Sequence, residues 1–246
     1  MELTILGADG TYPRARSACS GYLLQHDGFN LWMDAGNGTL SFLQEHIELE
    51  QVDAIFISHA HVDHCADVYP FFYQLINTRK TVPIYSASCV HDTMNPLVGS
   101  DSQKDFAELF DWHPLVAGDA AEAGPFRFDV FSAAHSIENA TVRIRAGGRT
   151  LCYSGDTGPN PDLPVAARGA DLFICEASWL EKDEGLMEPI HLKASEAGAA
   201  AREADVERLM LTHIWPQNPL DRVREEAATT FDGTIEFARE TQKTAI

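Results

Sequence analysis

The residues best suited to chemistry stand in one short stretch, Ser58-His59-Ala60-His61-Val62-Asp63-His64. It places three imidazoles and a carboxylate within six consecutive positions, directly after the apolar run from Val52 to Ile57. Imidazole nitrogens and carboxylate oxygens are ligands that zinc and manganese take at neutral pH. The spacing therefore predicts a metal site at the end of a strand. Its candidate ligands are His59, His61, Asp63 and His64.

Three more candidate ligands lie far along the chain. They are His135, Asp156 and His213, and each stands at or just beyond a run with the alternation or apolar content of a strand. Side chains at strand ends can be directed by a rigid scaffold toward a common point. Together with the short stretch, they would provide seven nitrogen and oxygen ligands. That number fits two metal ions and leaves coordination positions open for substrate.

A carboxylate near the start of the chain also stands at a strand end. The runs 21–26 and 29–33 read as a hairpin joined by Asp27-Gly28, and the second run leads into Asp34. A helix is predicted next, over 39–48, from the spacing of its apolar residues. Asp34 could cap the turn, or it could hydrogen bond to a histidine that binds metal.

The rest of the chain alternates between strand and helix patterns. Apolar spacing predicts helices over 66–79, 195–204 and 219–228, and strands over 81–85, 126–132, 141–144, 149–153, 170–175, 207–212 and 233–237. The stretch 86–110 mixes helix and breaker signals, and we interpret it as helix packed on the core rather than a lid. We predict an α/β fold, a four-layer αβ/βα sandwich of two halves, in a single domain over 1–246.

Composition limits the compartment and the partners. The five cysteines are odd in number and contain no C-x-x-C, which favours reduced thiols in the cytoplasm. No segment approaches the length of an apolar membrane span, so no membrane partner is expected. A formal charge of −19 repels polyanions and makes binding of a long nucleic acid unfavourable.

The combination of motifs resembles the metallo-β-lactamase-fold hydrolase superfamily. The matching features are the His59 to His64 motif, the lone His135, Asp156 in Ser-Gly-Asp-Thr-Gly and His213 in Leu-Thr-His, in the order of the family. The resemblance implies two divalent ions, with zinc expected and manganese or iron(II) as alternatives. It implies one ion held by His59, His61 and His135, a second by Asp63, His64 and His213, a bridging Asp156, and Asp34 buried behind the metal histidines.

His191 points to one branch of the superfamily. It lies 22 positions before His213 and resembles the extra histidine of ribonuclease Z-like phosphodiesterases. In that branch the histidine contacts the scissile phosphate and helps to protonate the leaving group; here it could instead be a cap or a surface imidazole.

Ribonuclease Z carries a long tRNA-binding arm between the positions of His135 and Asp156. These residues are only 21 positions apart here, so no tRNA partner is expected. The family also implies a homodimer.

We therefore predict a dinuclear metal-dependent hydrolase that cleaves a small phosphodiester by attack of a metal-bridging hydroxide. Asp63 would orient the hydroxide and accept its proton, while His191 would donate a proton to the leaving group. Two alternatives stay open at this point. One is a lactone or thioester hydrolase that uses the same dimetal centre, and the other is a non-catalytic, metal-bound binding module.

Overall fold

Two mixed β-sheets form the centre of the structure, a computed structural model that describes residues 1–183, 185 and 189–246. The strands are β1 (Glu2–Gly7), β2 (Gly21–His26), β3 (Phe29–Ala35), β4 (Ala54–Ile57), β5 (Val82–Ala87), β6 (Phe110–Leu115), β7 (Ala120–Ala123), β8 (Phe126–Ser132), β9 (Ala140–Ala146), β10 (Arg149–Tyr153), β11 (Leu172–Glu176), β12 (Arg208–Thr212), β13 (Thr234–Phe237) and β14 (Lys243–Ala245). The α-helices are α1 (Thr39–Leu43), α2 (Val62–Cys65), α3 (Val68–Thr78), α4 (Val90–Met94), α5 (Gln103–Leu109), α6 (Asp162–Ala167), α7 (Ala194–Glu203) and α8 (Leu220–Ala227). Short 3₁₀ helices span Leu49–Gln51, Asn95–Leu97 and Glu181–Asp183.

The two sheets follow the same plan. The first has the order β14-β1-β2-β3-β4-β5-β6, and the second has the order β13-β12-β11-β10-β9-β8-β7. Each half begins with antiparallel pairs and continues with parallel ones, since β3 to β6 are parallel in the first sheet and β10 to β13 in the second. The predicted repetition of two αβ halves is confirmed.

The apolar side chains of the second sheet divide between two cores. Along β11, Leu172 and Ile174 lie in the large core that also contains residues of the first sheet, whereas Phe173 and Cys175 pack with α6, α7 and α8. Because successive strand residues point to opposite faces, both faces of β11 are covered. On the first sheet, Trp32 of β3 packs edge-on against Phe71 of α3, with ring centroids 5.6 Å apart. The order is helix, sheet, sheet, helix, which confirms the predicted four-layer αβ/βα sandwich.

Most predicted elements are present, with some differences in their bounds. The helix predicted over 39–48 is wrong in its second half, because α1 ends at Leu43 and the chain then turns. The stretch 86–110 forms α4 and α5, whose buried Met94 and Phe106 lie in the core, so the prediction of packed helices is confirmed. Strands β6, β7 and β14 and helix α6 were not predicted.

The parallel strands direct their carboxyl ends toward one region between the sheets. β3 ends beside Asp34, β4 beside His59, β10 near Asp156 and β12 beside His213. β8 runs in the same direction as β10, because both pair antiparallel with β9, and it leads toward His135. Asp34 and His213 both have a φ of 50°, a left-handed conformation that costs a non-glycine residue about 1–3 kcal/mol. Backbone strain of this kind tends to persist at functional sites.

Two further features concern the cysteines and the apolar character of the helices. All five cysteines are free thiols, in agreement with the absence of a disulfide framework in the sequence. In the part of the chain that the structure describes, no helix combines the length and apolar character needed to cross a membrane.

Candidate metal centre

Three histidines from both halves of the fold direct one nitrogen each toward a common point. His61 Nδ1 lies 3.1 Å from His59 Nε2 and 3.1 Å from His135 Nε2. Nitrogen ligands about 2.0–2.1 Å from a tetrahedral zinc ion would lie a little over 3 Å from each other. The three side chains, together with Asp156, therefore form a group with the dimensions of one metal site.

Four residues form a second group beside the first. His213 Nε2 lies 3.1 Å from Asp63 Oδ2 and 3.4 Å from Asp156 Oδ2, and His64 Nε2 lies 3.2 Å from Asp156 Oδ1. Asp156 belongs to both groups, because its Oδ2 is also 3.7 Å from His59 Nε2. The structure thus brings together all seven ligands predicted from the sequence, with Asp156 in the middle.

Asp34 lies directly behind these groups and is fully buried. Its Oδ2 accepts hydrogen bonds from His64 Nδ1, Ser58 Oγ and Tyr153 Oη at 2.7, 2.8 and 2.7 Å. Because the Ser58 hydroxyl donates to Asp34, it can accept from His59 Nδ1 at 3.1 Å. Asp34 therefore holds His64 directly and His59 through a serine, leaving the Nε2 atom of each ring facing the metal positions.

A second buried carboxylate, Glu176, was not identified from the sequence. Its Oε2 accepts from Ser178 Oγ at 2.7 Å, and Ser178 in turn lies 2.8 Å from His213 Nδ1. Its Oε1 accepts from the backbone N–H of Thr157 at 2.7 Å, next to Asp156 in the chain. Glu176 thus supports His213 in the way that Asp34 supports His59, through a serine hydroxyl.

His191 stands next to both metal groups but belongs to neither of the predicted ligand sets. Its Nδ1 donates to Glu176 Oε1 at 2.9 Å, and its ring centroid is 5.1 Å from that of His135 and 5.3 Å from that of His213. Burial alone would lower the pKa of His191, but the Glu176 carboxylate outweighs that effect and raises the pKa to about 9. Glu176 therefore favours the protonated form of this ring.

Burial lowers the pKa of His59, His61 and His135, and that of His59 falls well below its ordinary value. These imidazoles are neutral at pH 7, the form that binds a metal ion. His135 Nδ1 donates to the backbone oxygen of Ile190 at 2.9 Å, which leaves its Nε2 with the lone pair. The first group is therefore in the correct protonation state for ligation.

The second group has an excess of negative charge that calls for a cation. Burial would lower the pKa of His64, but Asp156, Asp34 and Asp63 outweigh it and raise that pKa well above its ordinary value. His64 Nε2 and Asp156 Oδ1 are buried and lie 3.2 Å apart without forming a well-aligned hydrogen bond. A metal ion ligated by both atoms would satisfy them. These residues fit a divalent cation.

Several supporting residues escaped the sequence analysis for different reasons. Glu176 ends a buried strand as Asp34 does, and the same pattern would have identified it. Tyr153 and Thr11 could not be identified, because only the fold brings them close to the site. Tyr153 bonds to a residue 119 positions away, and the Thr11 N–H donates to Asp63 Oδ2 at 2.8 Å across 52 positions.

Comparison with known proteins identifies the superfamily. The model of a β-lactamase superfamily domain matches residues 29–214. YhfI of Bacillus subtilis (strain 168), named a probable metallo-hydrolase, is 31% identical over 245 residues and covers 97% of both chains. A ribonuclease Z of Methanopyrus kandleri is 25% identical over 274 residues, covering 94% of this chain and 93% of that protein.

Solved structures agree with this relationship. The crystal structure of YhfI superposes with a TM-score of 0.89 at 28% identity, covering 99% of each chain. The short form of human tRNase Z superposes with a TM-score of 0.81 over 100% of this chain and 99% of that one, and at 21% identity this likeness is one of fold. The chain therefore belongs to the β-lactamase superfamily, as a metallo-hydrolase whose architecture fits the short ribonuclease Z-like branch.

Proposed function

We propose that this metallo-hydrolase cleaves a small phosphodiester with a dinuclear metal centre. The observation that carries the proposal is His191, an imidazole held by the Glu176 carboxylate beside both metal groups and outside the seven proposed ligands. Such a group can donate a hydrogen bond to a phosphate oxygen and a proton to a departing alkoxide. The relationship to a ribonuclease Z supports the same class of bond.

The residues have separate roles in this proposal. Two divalent ions, which we propose to be zinc, would polarise the phosphoryl oxygens and lower the pKa of a coordinated water. Asp63 orients the attacking water and takes one of its protons, and His191 gives a proton to the ester oxygen as its bond to phosphorus breaks. The products are a phosphomonoester and an alcohol. The proposed ligands are His59, His61 and His135 for one ion, Asp63, His64 and His213 for the other, and Asp156 for both.

Two features favour a small substrate over tRNA. The segment between His135 and Asp156, which is described throughout, consists of β9, β10 and their connections, so it contains no inserted arm. The formal charge of −19 opposes the approach of a long polyanion, whereas the pair of cations would attract one phosphate group locally. We therefore propose a small-molecule phosphodiester.

The proposal can be tested with zinc-loaded protein, bis-p-nitrophenyl phosphate and a panel of lactones. We expect hydrolysis of the phosphodiester, and we expect His191→Ala to slow an alkyl diester more than a p-nitrophenyl one, because p-nitrophenolate leaves without protonation. His113→Ala, which removes a partly exposed histidine on β6, is the matched control. Turnover of a lactone with no phosphodiester cleavage would instead favour an acyl hydrolase. Inertness toward both would favour a metal-bound binding module.

A further inference from the structure

Three apolar side chains surround Asp63 where solvent reaches the metal groups. Tyr12 is 53% exposed, Val62 is 67% exposed and Trp215 is partly exposed, and we call the two rings, Tyr12 and Trp215, the aromatic rim. Their proximity follows from the contacts of Thr11, which precedes Tyr12. Its N–H donates to Asp63 Oδ2 at 2.8 Å, and its hydroxyl accepts from Trp215 Nε1 at 3.0 Å. Val62 directly precedes Asp63 in the chain.

The polar atoms of both rings are already used to hold them in place. Tyr12 Oη donates to Gln217 Oε1 at 3.1 Å, and Trp215 Nε1 donates to Thr11. The loop that carries Tyr12 is fixed as well, since the N–H of Gly10 donates to the backbone oxygen of Ile214 at 3.1 Å. A ligand at the rim would therefore meet ring faces held in a fixed orientation. Such faces favour stacking over hydrogen bonding.

A continuous series of aromatic contacts connects the rim to His191. The ring centroid of Trp215 is 6.5 Å from that of Trp179, and Trp179 is 5.4 Å from His191. The rim and the proposed proton donor therefore share Trp179 as a neighbour. A ring held on the rim would lie beside Asp63, close to the metal groups.

We infer that the aromatic rim is a subsite for a planar aromatic ring carried by one ester group of the phosphodiester. This inference rests on the proposed function and makes it more specific, since it names a class of substituent on the substrate. A flat ring can stack on Trp215 and Tyr12 while its phosphate lies at the metal groups. A saturated ring of the same size has no π-face to match, so the rim distinguishes the two by shape and not by apolar area alone.

A direct test compares the binding of benzyl phosphate and cyclohexylmethyl phosphate by calorimetry with zinc-loaded protein. The two ligands have the same charge and linker and differ in whether the ring is planar. We expect benzyl phosphate to bind about tenfold more tightly, a typical value for one or two aromatic contacts. Tyr12→Ala and Trp215→Ala should bring the two affinities close together, and Tyr12→Phe should retain the preference.

Tyr73→Ala is the matched control, because Tyr73 on α3 is 57% exposed and lies outside the rim. Equal affinities in the unaltered protein, or a preference that survives both alanine variants, would overturn the inference. So would a change of oligomeric mass in Tyr12→Ala with the preference intact, since the rim would then be a subunit interface.

Preference for benzyl phosphate without any phosphodiester hydrolysis would refute the proposed function and retain the aromatic subsite. Phosphodiester hydrolysis without the preference for benzyl phosphate would retain the proposed function and refute the aromatic subsite.

Discussion

Asp34 and Glu176 are the two buried carboxylates behind the metal groups, and they differ in what they hold. Asp34 is next to the last residue of β3 in the first sheet and Glu176 is the last residue of β11 in the second, and both are fully buried. Each reaches one histidine directly and a second through a serine hydroxyl. The direct partner of Asp34 is His64, a proposed metal ligand, whereas that of Glu176 is His191, the proposed proton donor. The same arrangement thus supports a proposed metal ligand in one sheet and the proposed proton donor in the other.

This difference suggests how the two halves divide the work. In the Asp34 network the carboxylate orients His64 and His59, so its loss affects ligands in both metal groups. In the Glu176 network the histidine bonded directly is His191, which is outside the proposed ligand sets, and His213 is reached through Ser178. We expect substitutions in the first network to change metal binding and stability. Substitutions in the second should change the reaction while the metals stay bound.

The largest effect is expected from Asp34→Asn. Asparagine tolerates the left-handed φ of 50° at this position, so the backbone is unchanged while the charge that pairs with His64 is lost. Breaking a buried pair of this kind costs about 3–5 kcal/mol, and loss of a hydrogen-bond partner of metal ligands weakens metal binding about 10–100-fold. Urea denaturation and zinc content after dialysis against a chelator measure the two effects. Full zinc retention at unchanged affinity would contradict the role of Asp34.

Glu176→Gln should have the next largest effect, and on a different quantity. The amide keeps the volume of the side chain but removes the negative charge that favours the protonated form of His191. We expect near-normal zinc content and a fall in kcat of about 100-fold or more for a diester with an alkyl leaving group. With p-nitrophenolate as leaving group the fall should be much smaller.

The double variant Glu176→Gln, His191→Ala separates this role from general support of the fold. Because the two residues act as one unit, the double variant should be no slower than His191→Ala alone. If the two losses multiply instead, Glu176 acts through another residue, with Ser178 and His213 as the obvious route. Loss of zinc in Glu176→Gln would remove the distinction between the two networks.

The site residues that follow from local sequence patterns could be predicted. The His59 to His64 motif and residues at strand ends were predicted, because a ligand needs a suitable side chain at a rigid position. Glu176 has the same context as Asp34, with Cys175-Glu176-Ala177 matching Met33-Asp34-Ala35 in form, but the strand was taken to end at Cys175. The missing step was to apply one pattern to both halves.

Other features could not be predicted, because they depend on residues distant in the chain. Strand β14 has three residues and forms only by pairing with β1 at the opposite end of the sequence. The contact between Tyr153 and Asp34 joins the two sheets, and no local periodicity indicates it. In the same way, α1 ends at Leu43 although the apolar spacing continues to Ile47. Tertiary packing determined each of these outcomes.

The smallest effect, and the finest test of the comparison, is expected from Tyr153→Phe. It removes one of the donors to Asp34, whereas the matched variant Tyr22→Phe removes an equally buried hydroxyl that contacts Thr212 Oγ1 at 2.6 Å. The two rings pack against each other with centroids 5.1 Å apart, so their surroundings are alike. Each variant should lose about 1 kcal/mol, or about 2–4 °C in Tm. Only Tyr153→Phe should weaken zinc binding, because only its hydroxyl bonds to the carboxylate that orients His64. Equal zinc affinities in a chelator competition would mean that the tyrosines connect the sheets without tuning the metal centre.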